Sequence, residues 1–169
     1  MVKPYSITHH EGGRLHTFTT DQGIQYSCVF GEVPLIPPFL GVYDLEVRDF
    51  SFYPYDPTPH IKKKIDERVA PTLMEILNHF FSRPERILVY ICDDSEGLIK
   101  ARARQKLFNS WYQTVTDVME RHELEVEIED LNLTLYGGVV LSRNCPHPEI
   151  ARQYLVERAS EIIFEKYGY

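Results

Sequence analysis

Ile87-Leu88-Val89-Tyr90-Ile91-Cys92 is an unbroken apolar run, closed off by Arg83-Pro84-Glu85 before it and Asp93-Asp94-Ser95-Glu96-Gly97 after it. Successive side chains of a strand point to opposite faces. A strand that is apolar at every position therefore needs cover on both faces, and the pattern suits a central strand of a helix-covered sheet. This one run constrains the fold more than any other feature, because the rest of the chain must supply both the flanking strands and the covering helices.

The flanking segments read accordingly. Leu15 to Thr20 and Ile24 to Phe30 surround Asp21-Gln22-Gly23, and Ile24, Tyr26, Cys28 and Phe30 alternate with polar or outward positions, which predicts a hairpin. GEVPLIPPFLG follows as a proline-rich loop. Val42 to Phe52 reads as a third strand with Tyr43, Leu45 and Val47 facing inward. After Tyr53 to Pro59, a second proline-rich loop, a helix is expected from about Pro59 or His60. Its apolar stripe would be Ile61, Ile65, Val69, Leu73, Ile76, Leu77 and Phe80, kinked or restarted at Pro71. Beyond the central strand, a helix is expected from about Ile99 to Met119, with Leu107, Trp111, Val115 and Val118 on one stripe. Leu124, Val126 and Ile128 alternate with glutamates, and a turn or bulge at Glu129-Asp130 resets the register for Leu131 to Ser142. Gly137-Gly138 in that strand marks a bulge or a close backbone approach. Pro148 opens a last helix to about Lys166, with Ile150, Tyr154, Leu155, Ala159, Ile162 and Ile163 inward.

The expected fold is α+β: a mixed, largely antiparallel sheet covered by helices, in the order β-β-β-α-β-α-β-β-α. No repeat or long linker divides the 169 residues, so 1–169 is expected to be a single domain.

Composition narrows the function classes. The formal charge is −7, from 18 Lys+Arg against 25 Asp+Glu, which disfavours non-specific nucleic-acid binding. No apolar run approaches the roughly 20 residues of a membrane span. The start MVKPYSITHHEGG has no apolar signal region, and three dispersed cysteines (Cys28, Cys92, Cys145) argue for reduced thiols, so a cytoplasmic protein is expected. No cysteine–histidine spacing suits zinc, and His9 and His10 have no partner ligands near them in sequence, so no metal or other cofactor is expected.

The segment from Cys92 to Tyr112 carries the candidate ligand-binding residues. Asp93, Asp94 and Glu96 follow a strand's C-terminal end, where α/β sheets commonly bind ligands. Arg102 and Arg104 follow in the expected helix and suit phosphate or carboxylate, and Trp111 and Tyr112 suit stacking. Paired carboxylates hold metals or share protons. The plain alternative is helix capping by the acids, ion pairing by the bases and a core position for Trp111. Cys92 lacks a base and reads as a small residue at a strand end. Lys62 to Lys64 reads as a solvated face, and Glu123, Glu125, Glu127 and Glu129 as protection of a sheet edge or a dock for a basic partner. Tyr5, Tyr43, Tyr53 and Tyr55 cluster near the proline loops and could line a groove.

Two resemblances rest on these residues. F-x-T-x-x-G-x-x-Y in Phe18 to Tyr26, Y-I-C-D-D in Tyr90 to Asp94, R-x-R-x-x-L-F-x-x-W in Arg102 to Trp111 and N-x-P-x-P in Asn144 to Pro148 together resemble a family of small bacterial proteins of unknown function. That family brings no catalytic residues. The middle third, with VAPTLMEILNHF, ILVYICD and ARQKLFNSW, resembles the core order of Gcn5-related N-acetyltransferases. There a glycine-rich turn opens the helix and its N–H groups hold the coenzyme A pyrophosphate. The matching place here, Asp66 to Pro71, lacks the glycines, carries two carboxylates and loses a donor at Pro71. This second resemblance therefore implies an acyltransferase-like fold with an altered or lost coenzyme A site.

No complete catalytic set is legible, which leaves open whether the chain is an enzyme. The function expected from the residues is a soluble bacterial binding module for a protein or small-molecule partner, with no membrane and no nucleic-acid role.

Overall fold

The computed structural model describes residues 2–33, 45–60, 64–92, 105–106, 108–128 and 133–168. Its centre is a seven-stranded sheet in the order β1-β2-β3-β4-β5-β7-β6. The strands are β1 (Thr8–His9), β2 (Leu15–Thr19), β3 (Gln25–Glu32), β4 (Glu46–Tyr55), β5 (Arg86–Cys92), β6 (Met119–Ile128) and β7 (Leu133–Ser142). The helices are α1 (Val69–Phe80), α2 (helical at 105–106 and 108–112) and α3 (Pro148–Tyr167). The expected α+β order holds, with the two-residue β1 added in front.

All neighbouring strands are antiparallel except β4 and β5. The β2–β3 hairpin turns at Gly23, whose φ of 79° is the left-handed conformation a glycine adopts without strain. The Thr20 N–H donates to the Ile24 carbonyl across it. The apolar run of β5 is central as its composition demands. Ile87 and Val89 face α3, and Leu88 and Tyr90 face α1, all at 2 % exposure or less.

The two faces have different cores. On the α1 and α2 side the buried cluster is largely aromatic, including Phe18, Phe30, Phe50, Phe80, Tyr90 and Trp111. On the α3 side it is mostly aliphatic: Ile87, Val89, Val139, Leu141, Ala151 and Leu155, with Tyr154. Ile150, Tyr154 and Leu155 of α3 are buried as the helical spacing predicts, and Gly168 closes the helix with φ 73°. The side chains of Ala159, Ile162 and Ile163 lie outside the description.

Three element boundaries differ from the sequence reading. The first helix begins at Val69, not near Pro59, and Ile65, expected on its apolar stripe, is 96 % exposed. Pro71 explains this. It sits in the first turn, where a missing N–H leaves no hydrogen bond broken, and a helix running through it would clash with the preceding turn. The second helix stops by residue 112. Turns fill 113–118, Met119 already belongs to β6, and Val118 is exposed instead of lying on a helical stripe. The third strand also runs further than expected, through Pro54 to Tyr55.

That extension has a structural reason. β4 and β5 pair only from Glu46↔Arg86 to Asp49↔Val89. Beyond this point β4 follows β3 and β5 follows β7, and among the described residues β4 and β5 are no longer paired. Pro54 thus costs no ladder bond on the β5 side. The paired end is pinned by Glu46, which accepts from Arg86 Nε at 2.9 Å and from Arg48 Nε at 3.2 Å. Burial pushes the Glu46 carboxyl up, and Arg86 and Arg48 more than reverse this, leaving it below the usual range.

Candidate functional site

Phe108 of α2 closes the opening between the parting strands. Its ring stacks on Tyr90 of β5 at 4.3 Å and meets Phe50 of β4 edge-on at 5.7 Å. Trp111, one helical turn on, is 1 % exposed and stacks on Phe81 at 5.7 Å. Its indole N–H has no hydrogen-bond partner among the described residues. Trp111 also lines an apolar cavity of about 10 Å³ with Phe50, Ala70, Leu73, Met74 and Phe108, room for about one water. Of the sequence candidates from Cys92 to Tyr112, the structure describes Trp111 and Tyr112. Asp93, Asp94, Glu96, Arg102 and Arg104 lie outside the described residues, as do Tyr43, Lys62, Lys63, Glu129 and the side chain of Cys92.

A larger cavity, of about 170 Å³, opens on the same face of the sheet. It is lined by Tyr90, Gln105, Glu123, Leu124, Glu125 and Tyr136, with Gly137 at its floor. Three strands build it through their register. Gly138 of β7 stands between Tyr90 of β5 and Glu123 of β6, and Tyr136 stands opposite Glu125. Side chains in directly opposed positions share a face, so the two glutamates and the two tyrosine rings converge on one side.

Gly138 is what lets the cavity exist in this form. A Cβ placed there would lie 2.3 Å from Cζ and Oη of Tyr90. The Tyr90 ring therefore lies against the bare backbone of β7. Of the two alternatives read from Gly137-Gly138, a bulge or a close backbone approach, the structure shows the second, with the register unbroken.

The charge at the cavity is acidic. Glu123 pairs with Arg121 Nη2 at 3.2 Å, and Arg121 is drawn aside to Asn109 Oδ1 at 2.5 Å and over the Tyr112 ring at 4.5 Å. Among the described residues Glu125 has no ion-pair partner, and no cationic side chain lines the cavity. Sequence reasoning saw these glutamates as an acidic strand face and did not join them to Tyr90 and Tyr136. The joining register links strands from residues 90, 123 to 125 and 136, which only the folded sheet brings together.

Elsewhere, the expected tyrosine cluster near the proline loops is dispersed in its described members. Tyr5 is buried beside Phe18, whereas Tyr53 and Tyr55 are exposed on β4. Lys64 exchanges two hydrogen bonds with Gln22, each of 2.9 Å. Among the described residues no group of three or more His, Cys, Asp or Glu is placed to hold a metal ion, and no helix is long and apolar enough to cross a membrane.

No curated protein and no solved structure matches the chain. A family model does match, that of a family of unknown function, DUF6169, over residues 65–156, more than half of the chain. The match spans α1, β5, α2, β6 and β7, and with them every residue that lines the larger cavity. The chain belongs to this family of unknown function, DUF6169.

Proposed function

We propose that the chain is a small-ligand binding module whose larger cavity takes the ammonium head of an organic cation. The observation that carries this reading is the convergence of Tyr90, Tyr136 and the carboxylates of Glu123 and Glu125 on one cavity of about 170 Å³. The face of Tyr136 can attract a cation through its quadrupole, Tyr90, whose faces are covered by Phe108 and Gly138, walls the cavity with its edge, and the carboxylates add charged hydrogen-bond acceptors. The volume is below the roughly 300 Å³ of a drug-sized pocket, so it suits a head group or a short amine. Gln105 adds a neutral polar contact at the rim.

The test is a thermal-shift and calorimetric titration with butylamine and tetramethylammonium, against butyramide and butyrate as neutral and anionic controls. Ligands that bind the folded state raise Tm, and the rise grows with the logarithm of concentration once it exceeds Kd. The cations are expected to raise Tm at millimolar concentration and to give saturable heats, and the controls are expected to do neither. Glu125→Gln should weaken the cations by about tenfold. Equal responses to butylamine and butyramide, or none to either, would sink the reading.

A second reading follows the acyltransferase resemblance, and the chain order supports it. α1 lies between the parallel strands β4 and β5, and its start is the place that the resemblance assigns to the coenzyme A pyrophosphate. The residues there do not fit that group. Asp66 Oδ1 accepts from the Arg68 N–H at 3.0 Å and its carbonyl accepts from the Val69 N–H at 3.3 Å. Pro71 has no N–H, and Arg68 is turned away to Asp21 and to the carbonyls of Lys3 and Pro4. A carboxylate thus already holds the backbone N–H just before the helix, where a pyrophosphate would sit. On this reading the fold is acyltransferase-like and the coenzyme A site is lost. Coenzyme A in the same titration is expected to give no shift; a saturable rise would overturn that loss.

A further inference from the structure

The N-terminal segment is held down at two points. At one, Tyr5 reaches α1: its N–H donates to Thr72 Oγ1 at 2.9 Å and its hydroxyl donates to Asp66 Oδ2 at 2.7 Å. The Arg68 guanidinium lies 3.8 Å over the Tyr5 ring. At the other, β1 adds to the sheet edge through Thr8↔Thr17 and His9↔His16. The first point is built from a tyrosine, a threonine, a carboxylate and a guanidinium, and the second from imidazoles.

His16 is 2 % exposed, beneath His9 and beside His79 of α1. Its Nε2 lies 3.1 Å from the Gly13 carbonyl, and its Nδ1 lies 2.8 Å from Nδ1 of His9. These partners assign the protons. A carbonyl only accepts, so His16 Nε2 carries the hydrogen; a neutral imidazole has one, so His16 Nδ1 accepts and His9 Nδ1 donates. The glycines at 12 and 13, both at positive φ, shape the tight turn that presents this carbonyl. The pair is held by one bridging proton, which either ring can donate while the other is neutral. When acidification protonates both rings, N–H faces N–H and the bond breaks.

Among the described residues nothing near His16 compensates a charge. The groups that bear on it are the imidazoles of His9, His10 and His79 and the Gly13 carbonyl, and of these only the carbonyl favours the cation. From β3, Cys28 stands opposite His16, its thiol neutral because burial pushes it up to about 12. Phe30, edge-on to His16 at 5.5 Å, is apolar. Burial first, and the neighbouring imidazoles with it, hold His16 below its ordinary value.

We propose that the His9–His16–His79 cluster is a proton-sensitive latch that holds the N-terminal strand β1 on the sheet above about pH 6.5 and releases it on acidification. The released chain protonates His16 near 6.5, whereas the latched chain resists. The latch is therefore at full strength above 6.5 and weakens as pH falls toward the lower, latched value. Each unit by which the fold depresses His16 corresponds to about a tenfold loss in the latched fraction over that window.

Amide hydrogen exchange of the full chain, corrected for the intrinsic pH dependence, reads the latch directly. The His10 N–H, which donates to the Leu15 carbonyl, is the reporter, and the Tyr5 N–H, held at the other point, is the internal control. The His10 protection is expected to fall several-fold between pH 7.5 and pH 5, while the Tyr5 N–H and amides at the centre of β5 keep theirs. In His16→Gln, whose amide can donate to Gly13 and accept from His9 without titrating, the fall should be about twofold or less. Ring ¹⁵N NMR of the wild type covers the case in which that variant fails to fold. It should show the Nε2–H tautomer of His16 at pH 7.5 and a titration midpoint within about half a unit of the loss of protection. A pH-independent strap, an undiminished fall in a folded His16→Gln, or a His16 midpoint well apart from strap release would overturn the proposal.

Discussion

The two faces of the sheet are packed by different means. Against α3 the side chains are branched aliphatics with exposures near zero, and they interlock around Ile87, Val139 and Leu141. Against α1 and α2 the cover is made of flat rings: Phe30 on Phe80 at 4.5 Å, Phe18 on Tyr26 at 4.9 Å, Tyr90 on Phe108 at 4.3 Å. Plates stack in pairs but leave gaps at their edges, whereas branched chains interdigitate. Both described cavities, the orphan Trp111 N–H and the histidine cluster lie on the ring side. The aliphatic face serves as the scaffold, and the features that could do chemistry sit on the face with room for them.

The sharpest way to break this comparison is to remove the same volume from each face. Leu141→Ala, at 0 % exposure in the centre of the aliphatic side, should cost about 3–5 kcal/mol, because neighbours fixed on β5, β7 and α3 leave the void open. Leu73→Ala, at 2 % exposure on α1, should cost less, about 2–3 kcal/mol, because Met74 borders the same small cavity and its flexible thioether can swing inward. Urea unfolding of the two variants measures the difference. Equal costs would show that the faces do not differ in how well they collapse.

How much of this was legible follows from the same contrast. The aliphatic face announces itself through periodicity: β5 by its unbroken apolar run and α3 by Ile150, Tyr154 and Leu155. The ring face is less readable because its decisive contacts join distant residues. His9 and His10 drew notice as a pair, but their significance depends on His16 across a turn and His79 on α1. Helical spacing at Ile65 was coincidental, and Pro71 sets the true start of α1. Gly137-Gly138 was a correct signal without an identifiable partner, since Tyr90 comes to it from 48 residues earlier through the β5–β7 register.

Gly138→Ala sharpens the comparison at the next level. The added Cβ meets the Tyr90 ring, and that ring is clamped between β7 and Phe108 at 2 % exposure. The ring must shift toward the larger cavity, at a cost of about 1–3 kcal/mol. Tm should fall, and the response to butylamine should fall with it, because the same ring lines the cavity. Retained stability with lost binding would mean that the ring moves freely, and that the ring face is looser than its stacking geometry implies.

The smallest effect is expected where α3 meets the rim of the sheet through charge alone. Arg152 Nη2 donates to Glu120 Oε1 at 2.7 Å and its Nε lies 3.0 Å from His122 Nε2. The hydrogen bond and charge of Arg152, together with His122, hold the Glu120 carboxyl below its usual range. The Arg152 side chain is 57 % exposed, so solvent screens the pair. Arg152→Ala should cost at most about 1 kcal/mol, and raised salt should shrink even that. If aliphatic packing is what seats α3, then Leu155→Ala on the same helix, at 3 % exposure, should cost several times more in the same unfolding measurement. An Arg152→Ala loss as large as that of Leu155→Ala would instead make the ion pair the fastening, and the aliphatic face would lose its standing as the scaffold.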